Sequence, residues 1–212
     1  MVVNYDIHSF RYGLDLFQTN PDFIDLWNEI QFALNNITDQ DLINYFNANS
    51  RASKKSLSEA INTLVDERLI ALHWNRQSPI FNNSEYRPTS KNRWWTLDFT
   101  KEALAVEVAF NHGEAVAWNL IKPVLSSELN HVEKAIQTNA GIIITAKDSL
   151  KRAGNFDSAI GTYEKFLQYL APFGNILSVP MVIIGLDAPE TFFIDSITKK
   201  VSYIETQTKL FD

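Results

Sequence analysis

The run Ala105-Val-Glu107-Val-Ala109-Phe110 sets an acid inside a strand otherwise suited to a core, and this constrains the fold more than any other stretch. Alternate residues of a strand face opposite sides, so Glu107 and Ala109 share one face while Val106, Val108 and Phe110 line the other. Burying an ionised carboxylate there costs several kcal/mol unless the charge is paired. A second acid, Asp98, ends the preceding predicted strand Trp95-Thr-Leu-Asp98-Phe99, nine positions earlier. Two carboxylates brought together in this way repel each other unless a cation sits between them. A hard divalent ion with oxygen ligands, Mg²⁺ above all, is the usual solution. The local sequence therefore asks for a metal held by Asp98 and Glu107.

The surrounding pattern supplies a sheet to carry such a site. From Trp94 onward the chain reads strand, strand, helix, strand, helix, strand. Gly141-Ile-Ile-Ile-Thr145 and Val179-Pro-Met-Val-Ile-Ile-Gly185 are continuous apolar runs, as expected of strands buried on both faces. The intervening helices are expected over Glu114–Gln137, with Pro123 kinking or splitting it, and over Asp157–Leu170. Thr191–Glu205 reads as a hairpin. Upstream, Asn20-Pro21-Asp22 has the form of a helix start, and Phe23, Leu26, Trp27, Ile30 and Leu34 continue it as an apolar stripe. A second helix is expected over Ser56–Leu69, after a polar loop at Asn47–Lys55, and Gln77–Asn92 reads as irregular. The expected class is α/β in a single domain, 1–212: a mainly helical N-terminal part, 1–92, and an α/β core with a mixed central sheet, 93–212.

A chain of 212 residues with 45% hydrophobic side chains can fill one core of this kind. It contains no cysteine, which excludes disulfides and thiolate metal sites and fits a reducing compartment. No apolar run is long enough to span a bilayer and the start is no signal peptide, so a cytoplasmic, bacterial protein without membrane contact is expected. The net charge of −6 argues mildly against nucleic-acid binding without excluding a local basic cleft.

Leu97-Asp98-Phe99 followed by Val106-Glu107-Val108-x-Phe110 resembles the Asp-x(n)-Glu-x-Lys signature of the PD-(D/E)xK nucleases, in which Glu or Gln sometimes replaces the lysine. More narrowly, the chain resembles type II restriction endonucleases of the BglII/BamHI/BstYI group. Ser127-Glu128-Leu129, the Ile61-x-x-Leu64 helix leading to His73-Trp74, and the late Val-Pro-Met-Val-Ile-Ile-Gly-Leu strand add to the likeness. The resemblance implies a restriction-endonuclease-like fold. It also implies Mg²⁺-dependent, sequence-specific hydrolysis of double-stranded DNA by a metal-activated water, with Asp98 and Glu107 holding the metal. A homodimer acting on a palindrome is implied too, often GATC-centred and cut to leave four-base 5′ overhangs. A companion DNA methyltransferase is expected in the host, though not as a physical partner.

Ala109 occupies the third catalytic slot and can neither bind metal nor handle protons, so attenuated cleavage is expected. An inactivating substitution explains it, because strand, spacing and flanks are intact. The rival explanation is drift, with the role passing to a neighbour such as Glu128 or to a substrate phosphate. For DNA contact, Asn111, His112 and Asn119 follow the catalytic strand and could read bases in a major groove. Lys122, Ser126 and Ser127 match contact positions of the group. Lys54, Lys55, Lys147, Lys151 and Arg152 are candidates for the phosphate backbone.

Other readings of the same residues remain. Asp98 and Glu107 could be a strand-end cap and a structural ion pair with Arg93 or Lys101. Lys54–Leu72 could be the recognition helix and following strand of a winged-helix regulator that binds DNA without cutting it. A nuclease fold that has lost catalysis and serves as a binding module is the third possibility.

Overall fold

The computed structural model describes residues 2–49, 56–89, 93–128 and 131–204. Its centre is a six-stranded sheet of β1 (Tyr5–Phe10), β2 (Asn75–Pro79), β3 (Thr96–Lys101), β4 (Leu104–Val108), β5 (Ala140–Ala146) and β6 (Met181–Leu186). The spatial order is β1-β6-β5-β4-β3-β2. β4, β5 and β6 run parallel, while β1, β3 and β2 pair antiparallel with their neighbours.

The apolar runs become central strands because both of their faces are covered. On β5, Ile142 and Ile144 enter one core together with Val106, Val182 and Ile184, whereas Ile143 enters a second with Ala109 and Ile183. Four helices, α1 (Gly13–Thr19), α2 (Pro21–Asn35), α3 (Asp39–Ala48) and α4 (Ser58–Ala71), close the first core, and α6 (Asp148–Ala153) adds Leu150. The second core lies under α5 (Val116–Ser127) and α7 (Tyr163–Leu170). A separate hairpin, β7 (Phe192–Ile194) with β8 (Val201–Tyr203), falls inside the expected segment. The mixed sheet flanked by helices, with a helical N-terminal region, is the restriction-endonuclease-like fold that the resemblance implied.

The helix start at Asn20 takes the expected form, its side chain accepting the Asp22 N–H with Pro21 in the first turn. Several elements depart from expectation. The mainly helical segment 1–92 also supplies both edge strands of the sheet, β1 and β2. Edge strands bury only part of their surface, so neither carries a continuous apolar run. β2 lies at the start of the stretch read as irregular. α3 has no counterpart in the expected elements, although Thr38 and Asp41 form a reciprocal capping box at its start. α5 runs through Pro123 but ends at Ser127, where the extended backbone of Glu128 (φ −73°, ψ 144°) turns the chain away. The helix expected over Asp157–Leu170 is confined to α7, because the loop before it is held by Asp157, whose carboxylate accepts the Ala159 N–H.

The winged-helix reading is corrected here. α4 buries Ala60, Ile61, Leu64, Val65 and Leu69 in the main core, and the strand after it, β2, joins the central sheet beside β3. Lys101 is likewise committed elsewhere: its ammonium donates to Glu29 Oε1 on α2 at 2.7 Å and to the Leu72 carbonyl at 2.9 Å. It ties the helical layer to β3 and does not neutralise Asp98 or Glu107.

Candidate active site

Strand register brings the two acids together. β3 and β4 pair Phe99 with Val106, Thr100 with Ala105 and Lys101 with Leu104, so one further step sets Asp98 against Glu107. At that step side chains take over from the backbone ladder. The Asp98 N–H donates to Glu107 Oε1 at 3.2 Å, and the Val108 N–H donates to Asp98 Oδ2 at 2.9 Å. The remaining oxygens are met from neighbouring elements. Gln77 Nε2 of β2 donates to Asp98 Oδ1 at 3.1 Å, and Lys122 Nζ of α5 donates to Glu107 Oε2 at 2.6 Å.

Glu107 is 1% exposed. Burial pushes its carboxyl up to about 8, the neighbouring Asp98 charge adds to the rise, and the attraction of Lys122 opposes it without prevailing. This is the electrostatic state that a divalent cation relieves, because it favours the ionised form of both acids at once. The donor set fits Mg²⁺, which prefers oxygen ligands and binds through one or two carboxylates, with water and substrate phosphate completing its shell. Among the described residues no group of three His, Cys, Asp or Glu side chains is placed to hold a metal.

Asp98 forms part of the wall of a cavity of about 330 Å³, lined also by Asn62, Thr63 and Asp66 of α4, by Arg76 and Gln77 of β2, and by Asn111. A second cavity of about 390 Å³ shares Arg76 and Gln77 and adds Arg93. A cationic side chain thus stands at the junction of the two, with Arg76 Nε held 2.5 Å from Asp66 Oδ1.

The residues expected to meet DNA divide sharply. Asn111 and His112 are exposed just past β4, and Asn111 lines the Asp98 cavity. Asn119, Lys122 and Ser126 are buried. They sit at positions i, i+3 and i+7 of α5, on the face turned towards the sheet. Ser126 bonds to the Pro123 carbonyl and the Thr138 hydroxyl, while Lys122 meets Glu107. Ser127 is half-buried one position further on. The Lys147 ammonium is shared by Asp6 and Asp187, and Lys151 donates to the Ser158 carbonyl at 2.7 Å. Arg152 is exposed on α6. Lys54 and Lys55 lie outside the described residues. Glu128, suggested as a substitute for the third catalytic group, is exposed and accepts a hydrogen bond from the Ser178 hydroxyl.

One member of the site escapes the sequence reading, and another is read there as a DNA contact. Gln77 adopts a left-handed backbone (φ 52°) opposite Asp98, in a stretch whose prolines and asparagines read as loop. Lys122 had a visible signal, since a lysine on the apolar stripe of a helix requires an anionic partner. Its partner lies on a different element, fifteen residues away.

The comparisons with known proteins give the family and the fold. A model of the family described as restriction endonuclease BglII/BglIII matches residues 5–186. The crystal structure of restriction endonuclease BglII complexed with a DNA 16-mer superposes with a TM-score of 0.62 at 21% identity, covering 99% of this chain and 95% of that one. Free BglII superposes with a TM-score of 0.52 at 19% identity, covering 90% and 83%. No curated protein sequence matches significantly. No helix among the described residues is long and apolar enough to cross a membrane. With a family model spanning most of its length and the acidic pair at the β3–β4 junction, the chain belongs to the BglII/BglIII family of DNA-cleaving restriction endonucleases, within the PD-(D/E)xK superfamily.

Proposed function

We propose that this chain hydrolyses double-stranded DNA at a specific palindrome, with Mg²⁺ held by Asp98 and Glu107. The observation that carries the reading is the meeting of these two acids at the end of the β3–β4 ladder, with Asp98 on the wall of an open cavity. Mg²⁺, when bound there, polarises the scissile phosphate and lowers the pKa of an attacking water. The protein's own groups do the rest. Gln77 and the Val108 N–H hold Asp98 in place, and the Asp98 N–H and Lys122 hold Glu107. In the reaction the water oxygen bonds to phosphorus as a P–O ester bond breaks. The departing oxygen keeps the electron pair and takes a proton from solvent, and the water's proton passes to solvent.

Exposed Asn111 and His112 are proposed as base-edge contacts, since Asn pairs with adenine in the major groove. A homodimer, a GATC-centred palindrome and 5′ overhangs are proposed on family membership, as is a methyltransferase in the host. Ala109 contributes no polar group of its own. Plasmid DNA incubated with the chain and Mg²⁺ or Mn²⁺ should yield discrete bands, and Asp98→Asn should abolish them while leaving DNA binding in place. Specific binding without any bands from the unaltered chain would replace the enzyme by a non-cleaving binding module.

A further inference from the structure

Ala109 follows Glu107 just past β4 and presents only a buried methyl group to the core beneath α5. From that helix Lys122 reaches the same carboxylate. Its Nζ lies 2.6 Å from Glu107 Oε2, and the residue is only 8% exposed. Lys122 is the single charged residue of α5, flanked on its buried face by Val116, Leu120 and Val124. A buried ion pair is weak evidence for stability, because apolar residues of similar volume commonly serve as well. The backbone nearby is built to let it form. A Cβ added at Gly141 on β5 would stand 2.7 Å from the Pro123 Cβ, so glycine there allows α5 to sit close to the sheet beside Lys122.

We infer that Lys122 is the third polar group of the cleavage centre, delivered from α5 to the face where the residue just past β4 is only Ala109. The inference rests on the reading of Asp98 and Glu107 as that centre. An ammonium has three N–H donors and no acceptor. One is committed to Glu107, leaving two for the attacking water and a phosphate oxygen, where negative charge develops as the new bond forms. Lys122 keeps its proton throughout, so the proton balance of hydrolysis is unchanged. A centre completed in this way is not attenuated by Ala109. Glu128 does not compete for the role, being exposed and hydrogen-bonded to Ser178.

The test compares the unaltered chain, Lys122→Met, and Ala109→Lys combined with Lys122→Met. Single-turnover plasmid cleavage with Mg²⁺ is measured alongside Mn²⁺ binding by electron paramagnetic resonance. Lys122→Met should cut about 100-fold more slowly or worse, the usual cost of removing one preorganised donor. It should bind Mn²⁺ at least as tightly as the unaltered chain, because the competing ammonium is gone. Moving the lysine to position 109 should restore roughly a tenfold or greater part of the lost rate. An unaltered rate in Lys122→Met overturns the inference and leaves the two-carboxylate reading standing. So does loss of both Mn²⁺ binding and cleavage that the relocated lysine fails to restore, which would make Lys122 a structural prop. If the unaltered chain cuts no plasmid with either metal, the underlying reading fails and takes the inference with it.

Discussion

Two centres in this molecule hold the same charges and resolve them in opposite directions. At the β3–β4 junction, Glu107 lies beside Asp98 and takes the cation of Lys122. At the ends of β5 and β6, Asp6 and Asp187 share the single cation of Lys147, with Nζ–O distances of 2.6 and 2.8 Å. Burial pushes the Glu107 carboxyl up to about 8. Burial acts on Asp187 too, but hydrogen bonds from Lys147 and Ser149 outweigh it and hold that carboxyl below its ordinary value. Water makes the difference. The Asp187 and Asp6 side chains are 31% and 56% exposed, so solvent screens their mutual repulsion, whereas Glu107 has almost no solvent contact. The Lys147 cluster is therefore complete as it stands. The Glu107 cluster, shut off from solvent, instead keeps a carboxyl that gives up its proton well above the ordinary range.

The largest expected effect breaks the buried pair. Glu107→Ala leaves the Lys122 ammonium buried and unpaired, and urea denaturation should show a loss of about 3–5 kcal/mol. Acidity should then separate the two centres by sign. The folded Glu107 carboxyl holds a proton between its ordinary 4.5 and about 8, where the unfolded chain has lost it. Its contribution to stability is full below 4.5 and disappears as pH rises through about 8. Melting temperatures measured in EDTA should show that alkaline decline in the unaltered chain and a flatter profile in Glu107→Gln. Asp187 contributes in the opposite sense, stabilising above the ordinary aspartate range and losing that contribution as pH falls through its lowered value. The acid limb should therefore shrink in Asp187→Asn.

A smaller effect is expected where α5 meets the sheet. Gly141→Ala would force a methyl against Pro123 and should cost about 1–3 kcal/mol in denaturant unfolding. Cleavage should fall by more than stability does, because Lys122 is carried on the displaced helix. Smallest of all, Asp187→Asn should cost about 1 kcal/mol, as is typical of a partly exposed charged hydrogen-bonded pair.

The same contrast explains what was legible in the sequence. Asp98 and Glu107 could be identified because an acid within an apolar run is anomalous under simple strand periodicity, and the strands carrying them are continuous and hydrophobic. β5 and β6 were legible for the same reason. β1 and β2 were not, since an edge strand buries little and β2 passes through the left-handed Gln77. α3 went unread despite its capping box, where Thr38 and Asp41 stand three residues apart. Lys122 stands out as a charge on a helix but reads as a DNA contact, because its acidic partner is brought near only by the packing of α5 over β4 and β5. Long-range charge pairing of this kind has no local sequence period.

The most direct measurement compares plasmid cleavage by Asp98→Asn and Asp187→Asn under identical Mg²⁺, with the melting temperature of each recorded. Asp98→Asn should lose the discrete bands while remaining folded, and Asp187→Asn should keep the bands while melting slightly earlier. Cleavage that survives in Asp98→Asn and is lost in folded Asp187→Asn would place the reactive centre at the Lys147 cluster and contradict the assignment made here.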